Sequence, residues 1–206
     1  MKRLALIAAC VAAFACSKHE ALSPPAVTAP PASAASGAAT GSIAGSVHAT
    51  GTAVVVLEPK TAQTFPPPAE TPVMDQAGLT FGPELLLVRT GYPVEFRNSD
   101  DTLHNVRVSH EETRASAFNV AIPTGESFTY TFERDGFYRV GCDIHPAMAA
   151  SVFAAASPFT TLAGSDGRFT FAGVPSGVWT VTVYTDGKRL RKDVEISGGV
   201  TNVSVE

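Results

Sequence analysis

The stretch Tyr138-Arg139-Val140-Gly141-Cys142-Asp143-Ile144-His145-Pro146-Ala147-Met148 offers a thiol, an imidazole and a thioether just past a strand-like segment. Cys, His and Met three residues apart fit one tight loop, so their side chains can converge on one ion. Upstream, Asn98-Ser99-Asp100-Asp101-Thr102-Leu103-His104-Asn105-Val106 adds a second imidazole, which must arrive from another strand. A trigonal His2Cys set with a weak axial Met is the donor set of a blue-copper electron-transfer site. Structural zinc asks for four Cys or His donors, sometimes with a carboxylate, and only three such groups are present. The thioether is a soft ligand that suits copper. The expected metal ligands are therefore His104, Cys142, His145 and Met148, holding one copper per chain that cycles between Cu(I) and Cu(II).

This ligand set resembles that of the cupredoxins, the small blue-copper proteins. Within them it resembles the amicyanin and pseudoazurin type, where the loop also runs Cys-x-x-His-x-x-Met. Gly91-Tyr92-Pro93-Val94-Glu95-Phe96-Arg97-Asn98-Ser99-Asp100 resembles the family's strand into the first His. Gly125-Glu126-Ser127-Phe128 through Gly136-Phe137-Tyr138 resembles its strand into the Cys. The likeness covers roughly residues 79–154, and more narrowly it resembles secreted bacterial plastocyanin-like proteins labelled methylamine-utilisation proteins. It implies a Greek-key β-sandwich. It also implies that Asn105 ties the two ligand-bearing strands together, orienting the ligands from outside the donor set. Pro146 in the loop has no N–H, so it cannot donate to the Cys142 sulfur.

The chain has 206 residues and a net charge of −4, with no basic clusters, which argues against a nucleic-acid partner. Lys2-Arg3 followed by the apolar stretch Leu4 to Ala15 reads as a secretory signal over residues 1–15, too short to span a bilayer. Ala13-Phe14-Ala15 precedes Cys16. We read Cys16 as the lipidated first residue of a bacterial lipoprotein; the alternative is cleavage after Ala15 and a soluble periplasmic protein. Residues 16–40 then form an Ala/Pro-rich tether, with His19 solvated. Of three cysteines, Cys10 lies in the signal and Cys16 at the mature end. Cys142 is left without a disulfide partner in an oxidising compartment, which favours a ligand role.

From Gly41 the pattern is β throughout. Ile43, Gly45 and Val47 alternate, Ala53 to Leu57 is a short apolar run, and residues 59–72 hold five prolines and read as a loop. Leu85 to Val88, Val94 to Phe96, Val106 to Val108 and the period-two Phe128, Tyr130 and Phe132 read as strands. After Met148 come Phe169-Thr170-Phe171, the alternation Trp179, Val181, Val183, a hairpin turn at Thr185-Asp186-Gly187-Lys188, and a last strand at Val200 to Val205. This second block, with Gly41-Ser42-Ile43-Ala44-Gly45-Ser46-Val47, resembles the carboxypeptidase regulatory-like (transthyretin-like) β-sandwich. The expected fold is all-β. A cupredoxin domain over 59–156 is inserted into a discontinuous module formed by 41–58 and 157–206. The alternative is a cupredoxin extended by a few C-terminal strands.

The expected function is a one-electron carrier at the bacterial envelope, a monomer meeting a cytochrome or dehydrogenase transiently and held to the membrane through Cys16. The rival reading is copper storage or delivery, or partner binding, without redox turnover. An enzyme with further copper centres would need more histidines than five. No phosphate-cradling loop or nucleophile elbow is visible. His48 and His110 lack ligand spacing and read as surface residues. Asp100-Asp101 and Glu111-Glu112 read as solvated loop acids.

Overall fold

The computed structural model describes residues 39–206; the signal, Cys16 and nearly all of the tether lie outside the described residues. Among the described residues there is no helix, and sixteen strands form four sheets.

Two of these sheets sandwich the metal-ligand loops. One runs β4 (Thr80–Gly82), β3 (Val73–Ala77), β6 (Pro93–Asn98), β9 (Ser127–Thr131). The other runs β5 (Leu85–Arg89), β11 (Ala149–Ala155), β10 (Gly136–Gly141), β7 (His104–His110), β8 (Ser116–Ile122). Strict alternation decides which side faces in: Val94, Phe96 and Asn98 of β6 are buried, whereas Pro93 and Arg97 are exposed. Between the sheets lie Met74, Phe96, Val106, Val108, Phe132 and Val140, together with Cys142 and Met148.

The other two sheets form a second sandwich. One is β13 (Arg168–Pro175), β1 (Thr40–Val47), β16 (Gly199–Val205). Its mate is β12 (Thr160–Leu162), β2 (Val54–Pro59), β14 (Gly177–Thr185), β15 (Lys188–Ile196). Ile43, Leu57, Phe171, Trp179, Val181 and Val183 fill the space between them. Trp179 is fully buried, and its indole N–H donates to the Pro175 carbonyl at 2.9 Å. Gly45 is required by packing, because a Cβ there would collide with the Phe169 ring. The chain leaves this sandwich after β2, builds β3–β11, and returns at β12, which pairs back onto β2 with Thr160 opposite Val56.

The sandwiches meet sheet to sheet. Val54 and Val56 pack with Phe153 and Ala155 in a separate apolar cluster, flanked by Leu85, Leu87, Phe137 and Tyr184. Phe153 lies 4.7 Å from Phe137 and 4.9 Å from Tyr184, centroid to centroid.

His110 departs from expectation. It is 6% exposed and stacks edge-on against Tyr138 at 4.9 Å. Its Nδ1 accepts the Thr113 N–H at 3.2 Å, and its Nε2–H donates to the Asp135 carbonyl at 3.3 Å. Gly136, with φ of 127°, leaves room for the ring: a Cβ there would sit 2.9 Å from Nε2. His48 is exposed.

Candidate metal centre

Two adjacent strands bring the donors together. His104 opens β7, and Cys142 follows the last residue of β10. The pairing of Gly141 with Arg107 sets these ends side by side. His104 is 0% exposed and Cys142 3%, while His145 is partly exposed on the loop. The loop closes on itself: the Cys142 N–H donates to the Met148 carbonyl at 3.3 Å, and the Met148 N–H to the His145 carbonyl at 2.9 Å. Met148 is 2% exposed and lies in the same core cluster as Cys142.

Among the described residues, only His104, Cys142 and His145 form a group of metal-capable donors. Cys142 Sγ is 3.9 Å from Nδ1 of each histidine, and the two Nδ1 atoms are 2.9 Å apart. A triangle with edges 2.9, 3.9 and 3.9 Å has an in-plane centre about 2.1 Å from every corner. Metal–imidazole bonds to a first-row ion run about 2.0–2.1 Å and metal–thiolate bonds about 2.3 Å. The donors thus surround a point at bonding distance without rearrangement, and their chemistry of two nitrogens, one sulfur and a nearby thioether fits copper.

The tautomer of His104 is set from behind. Its Nε2–H donates to Asp100 Oδ2 at 2.8 Å, so the neutral ring keeps its Nδ1 lone pair for the centre. Asp100 is itself held: Oδ1 accepts the Gly78 N–H at 2.6 Å and Oδ2 the Leu79 N–H at 2.9 Å. Gly78 and Leu79 have φ of 60° and 59°, which turns both amides of the β3–β4 connection onto the carboxylate. The Leu79 amide, and next the His104 ring, hold the Asp100 carboxyl below its ordinary pKa. The side chain is only 14% exposed, so the expectation of a solvated acid is corrected here.

Asn105 works on the Cys side. Its Oδ1 accepts the Asp143 N–H at 2.7 Å and the Ile144 N–H at 3.3 Å, and lies 3.3 Å from Cys142 Sγ. Its Nδ2 donates to Asn119 Oδ1 at 2.8 Å and to Asp143 Oδ2 at 3.2 Å. The Asp143 carboxylate also takes Arg107 Nε at 2.7 Å and Asn119 Nδ2 at 3.0 Å. Arg107, then Asn119, depress the Asp143 pKa. Arg107, Asn119 and Asp143 have no role in the sequence reading, and Asp100 appears there only as a solvated acid. An acid four residues before the ligand His was the one legible sign. Pro146 sits exposed beside His145.

Residues 69–154 match the family model described as copper binding proteins, plastocyanin/azurin family. This segment is thus a blue-copper domain of the cupredoxin family, and copper is its cofactor. Among solved structures, an oxidised amicyanin variant is 24% identical and covers 41% of this chain and 82% of its own, with a TM-score of 0.38. Amicyanin from Paracoccus versutus (Thiobacillus versutus) is 20% identical and covers 43% of this chain and 84% of its own, also at 0.38. No curated protein matches the chain.

Proposed function

We propose that the protein is a one-electron carrier of the bacterial envelope, in which His104, Cys142 and His145, with the Met148 thioether beside them in the core, would hold copper. The donor triangle, closed around a point at bonding distance, is the observation that carries this reading. Bound copper supplies the one-electron couple. The chain's contribution is to keep the donors in one arrangement for both oxidation states. Asp100 fixes the inner imidazole, Asn105 fixes the amides after Cys142, and two packed sheets bury both. Burial of His104 and Cys142 favours a carrier over a delivery protein, which would need donors open to exchange.

Partner docking is expected at the exposed edge of His145. Leu103 and Ile144, the sequence neighbours of the two histidines, are each 47% exposed, and Leu79 above Asp100 is 52% exposed. A small apolar surface of this kind suits transient redox encounters with a cytochrome or dehydrogenase. We read the second sandwich as the carboxypeptidase regulatory-like module that receives the copper domain, and Cys16 as the lipidated anchor.

The copper-loaded protein should show an intense thiolate-to-copper charge-transfer band at one copper per chain, with a type 1 EPR signal. Cys142→Ser should lose the band and keep the β fold. A colourless wild type, or a coloured Cys142→Ser, overturns the assignment. Labelled fatty acid should enter the wild type and not Cys16→Ala; wholly soluble wild-type protein would favour cleavage after Ala15.

A further inference from the structure

The five-stranded sheet uses its outer face in two ways. Odd-numbered residues of β10 and β11 point outward, and at Phe137, Phe153 and Ala155 the second sandwich covers them. Toward the metal end the same face is open. There the register sets Arg107 opposite Gly141 and Ser109 opposite Arg139, and on the other side Ala149 opposite Gly141 and Ser151 opposite Arg139. The small residues make a floor, and the arginines rise from it. Arg114, on the turn after β7, joins them, and together they border a cavity of about 620 Å³ that reaches Cys142 and Met148.

The charge in this groove runs against the chain's average. Arg107 pairs with Asp143 at 2.7 Å and Arg139 with Glu111 at 2.8 Å, while Arg114 has no ion pair among the described residues. Three guanidinium groups against two carboxylates leave one net positive charge, in a chain of net −4. Glu112 borders the neighbouring cleft instead. Each guanidinium carries five N–H donors in a fixed fork, and one ion pair leaves most of them free. Arg107 Nη2 lies over Gly141, 3.4 Å from where a Cβ would sit, and so flanks the residue preceding the thiolate.

We infer that this groove docks an acidic surface of a redox partner protein, whose carboxylates the guanidinium forks of Arg107, Arg114 and Arg139 take up. Such a partner would stand against the backbone of Gly141-Cys142, on a face separate from the apolar edge of His145. The role of the partner rests on the electron-transfer reading; the groove's affinity for carboxylates does not.

The test therefore reads affinity without redox chemistry. A decaglutamate peptide is titrated into the full-length ¹⁵N-labelled protein, copper-free and Cu(I)-loaded, at low ionic strength. Saturable amide shifts are expected at residues 107–114, 139–143 and 149–151, and they should vanish in high salt. Arg114→Glu with Arg139→Glu should weaken binding about tenfold. Arg114→Glu alone, at a side chain with no ion partner to lose, keeps the test if the double variant fails to fold, and should weaken binding several-fold. Arg168→Glu, on the sheet of the second sandwich that faces away from the copper domain, should change nothing. Absence of binding, shifts confined to that sheet, or indifference to both arginine variants overturns the proposal. Peptide binding by a protein that shows no thiolate-to-copper band would retain the groove and refute only the carrier reading.

Discussion

Asp100→Asn isolates the device behind the inner histidine. The substitution keeps shape and size but removes the charge and one acceptor. The carboxylate now accepts three N–H groups, from Gly78, Leu79 and His104. In the amide, only the oxygen accepts. If the oxygen stays on Leu79 and His104, the new NH2 opposes the Gly78 N–H. If it turns to Gly78, the NH2 opposes the two others, and His104 loses its tautomer lock. In the first case a weaker, neutral bond holds the imidazole, and in the second none does. Changes of this kind behind a ligand lower metal affinity by about 10–100-fold.

The loss should fall unevenly on the two oxidation states. A carboxylate behind an imidazole raises its basicity, which favours the more highly charged Cu(II). Competition against a chelator, run separately for Cu(II) and Cu(I), should therefore show the larger loss for Cu(II). Each tenfold difference raises the reduction potential by about 59 mV for a one-electron couple. Asp101→Asn, one residue away and exposed, makes the same charge change without touching His104 and should leave both constants alone. Equal affinities in wild type and Asp100→Asn, with an unmoved potential, would show that the Asp100–His104 contact does not act on the metal.

Three other outcomes follow from the packing and the charges. Phe153→Ala empties the centre of the contact between the sandwiches and should cost about 3–5 kcal/mol by denaturant unfolding. Gly45→Ala forces the buried Phe169 ring aside and should cost about 1–3 kcal/mol in the same assay, with the copper site unaffected. The Asp193 carboxyl is held below its ordinary pKa, first by Lys60 at 2.8 Å and then by Thr180. A depressed carboxylate contributes stability that is present above the unfolded pKa and lost as pH falls through the folded one. The melting-temperature difference between wild type and Asp193→Asn should thus be largest near neutrality and close in acid.

The ligand loop was legible because its chemistry is local: Cys142, His145 and Met148 announce themselves by spacing. Strands with clean alternation, such as β6 and β14, were legible for the same reason. Strands β3, β4 and β12 were not, because they are short and take their place from partners far along the chain. β3 even buries the polar Gln76, whose Nε2 donates to the Arg97 carbonyl. β8 alternates as well, with Phe118, Val120 and Ile122 toward the core and Asn119 and Ala121 exposed, a period-two pattern that the sequence reading did not use. Asp100 and His110 were misread on one ground. Both are polar residues near turns, and both are satisfied by groups that only the fold supplies: the Gly78 and Leu79 amides for one, the Asp135 carbonyl for the other.

Strand β10 connects the two halves of the molecule. Cys142 leaves one end of it, and Phe137 lies near the other, packed into the apolar cluster shared with Val54, Val56 and Tyr184. Its neighbour β11 takes the chain from Met148 straight to Phe153 and Ala155 in the same cluster. Both strands that flank the ligand loop are therefore clamped by the second sandwich at the end of their outer face away from the metal, while the first buries their inner face. Moving the thiolate between the oxidised and reduced states would require sliding β10 or β11 against close-packed surfaces on two sides, which dense interiors resist. On this view the second sandwich stiffens the metal site mechanically through Phe137 and Phe153, without contributing a single donor to it.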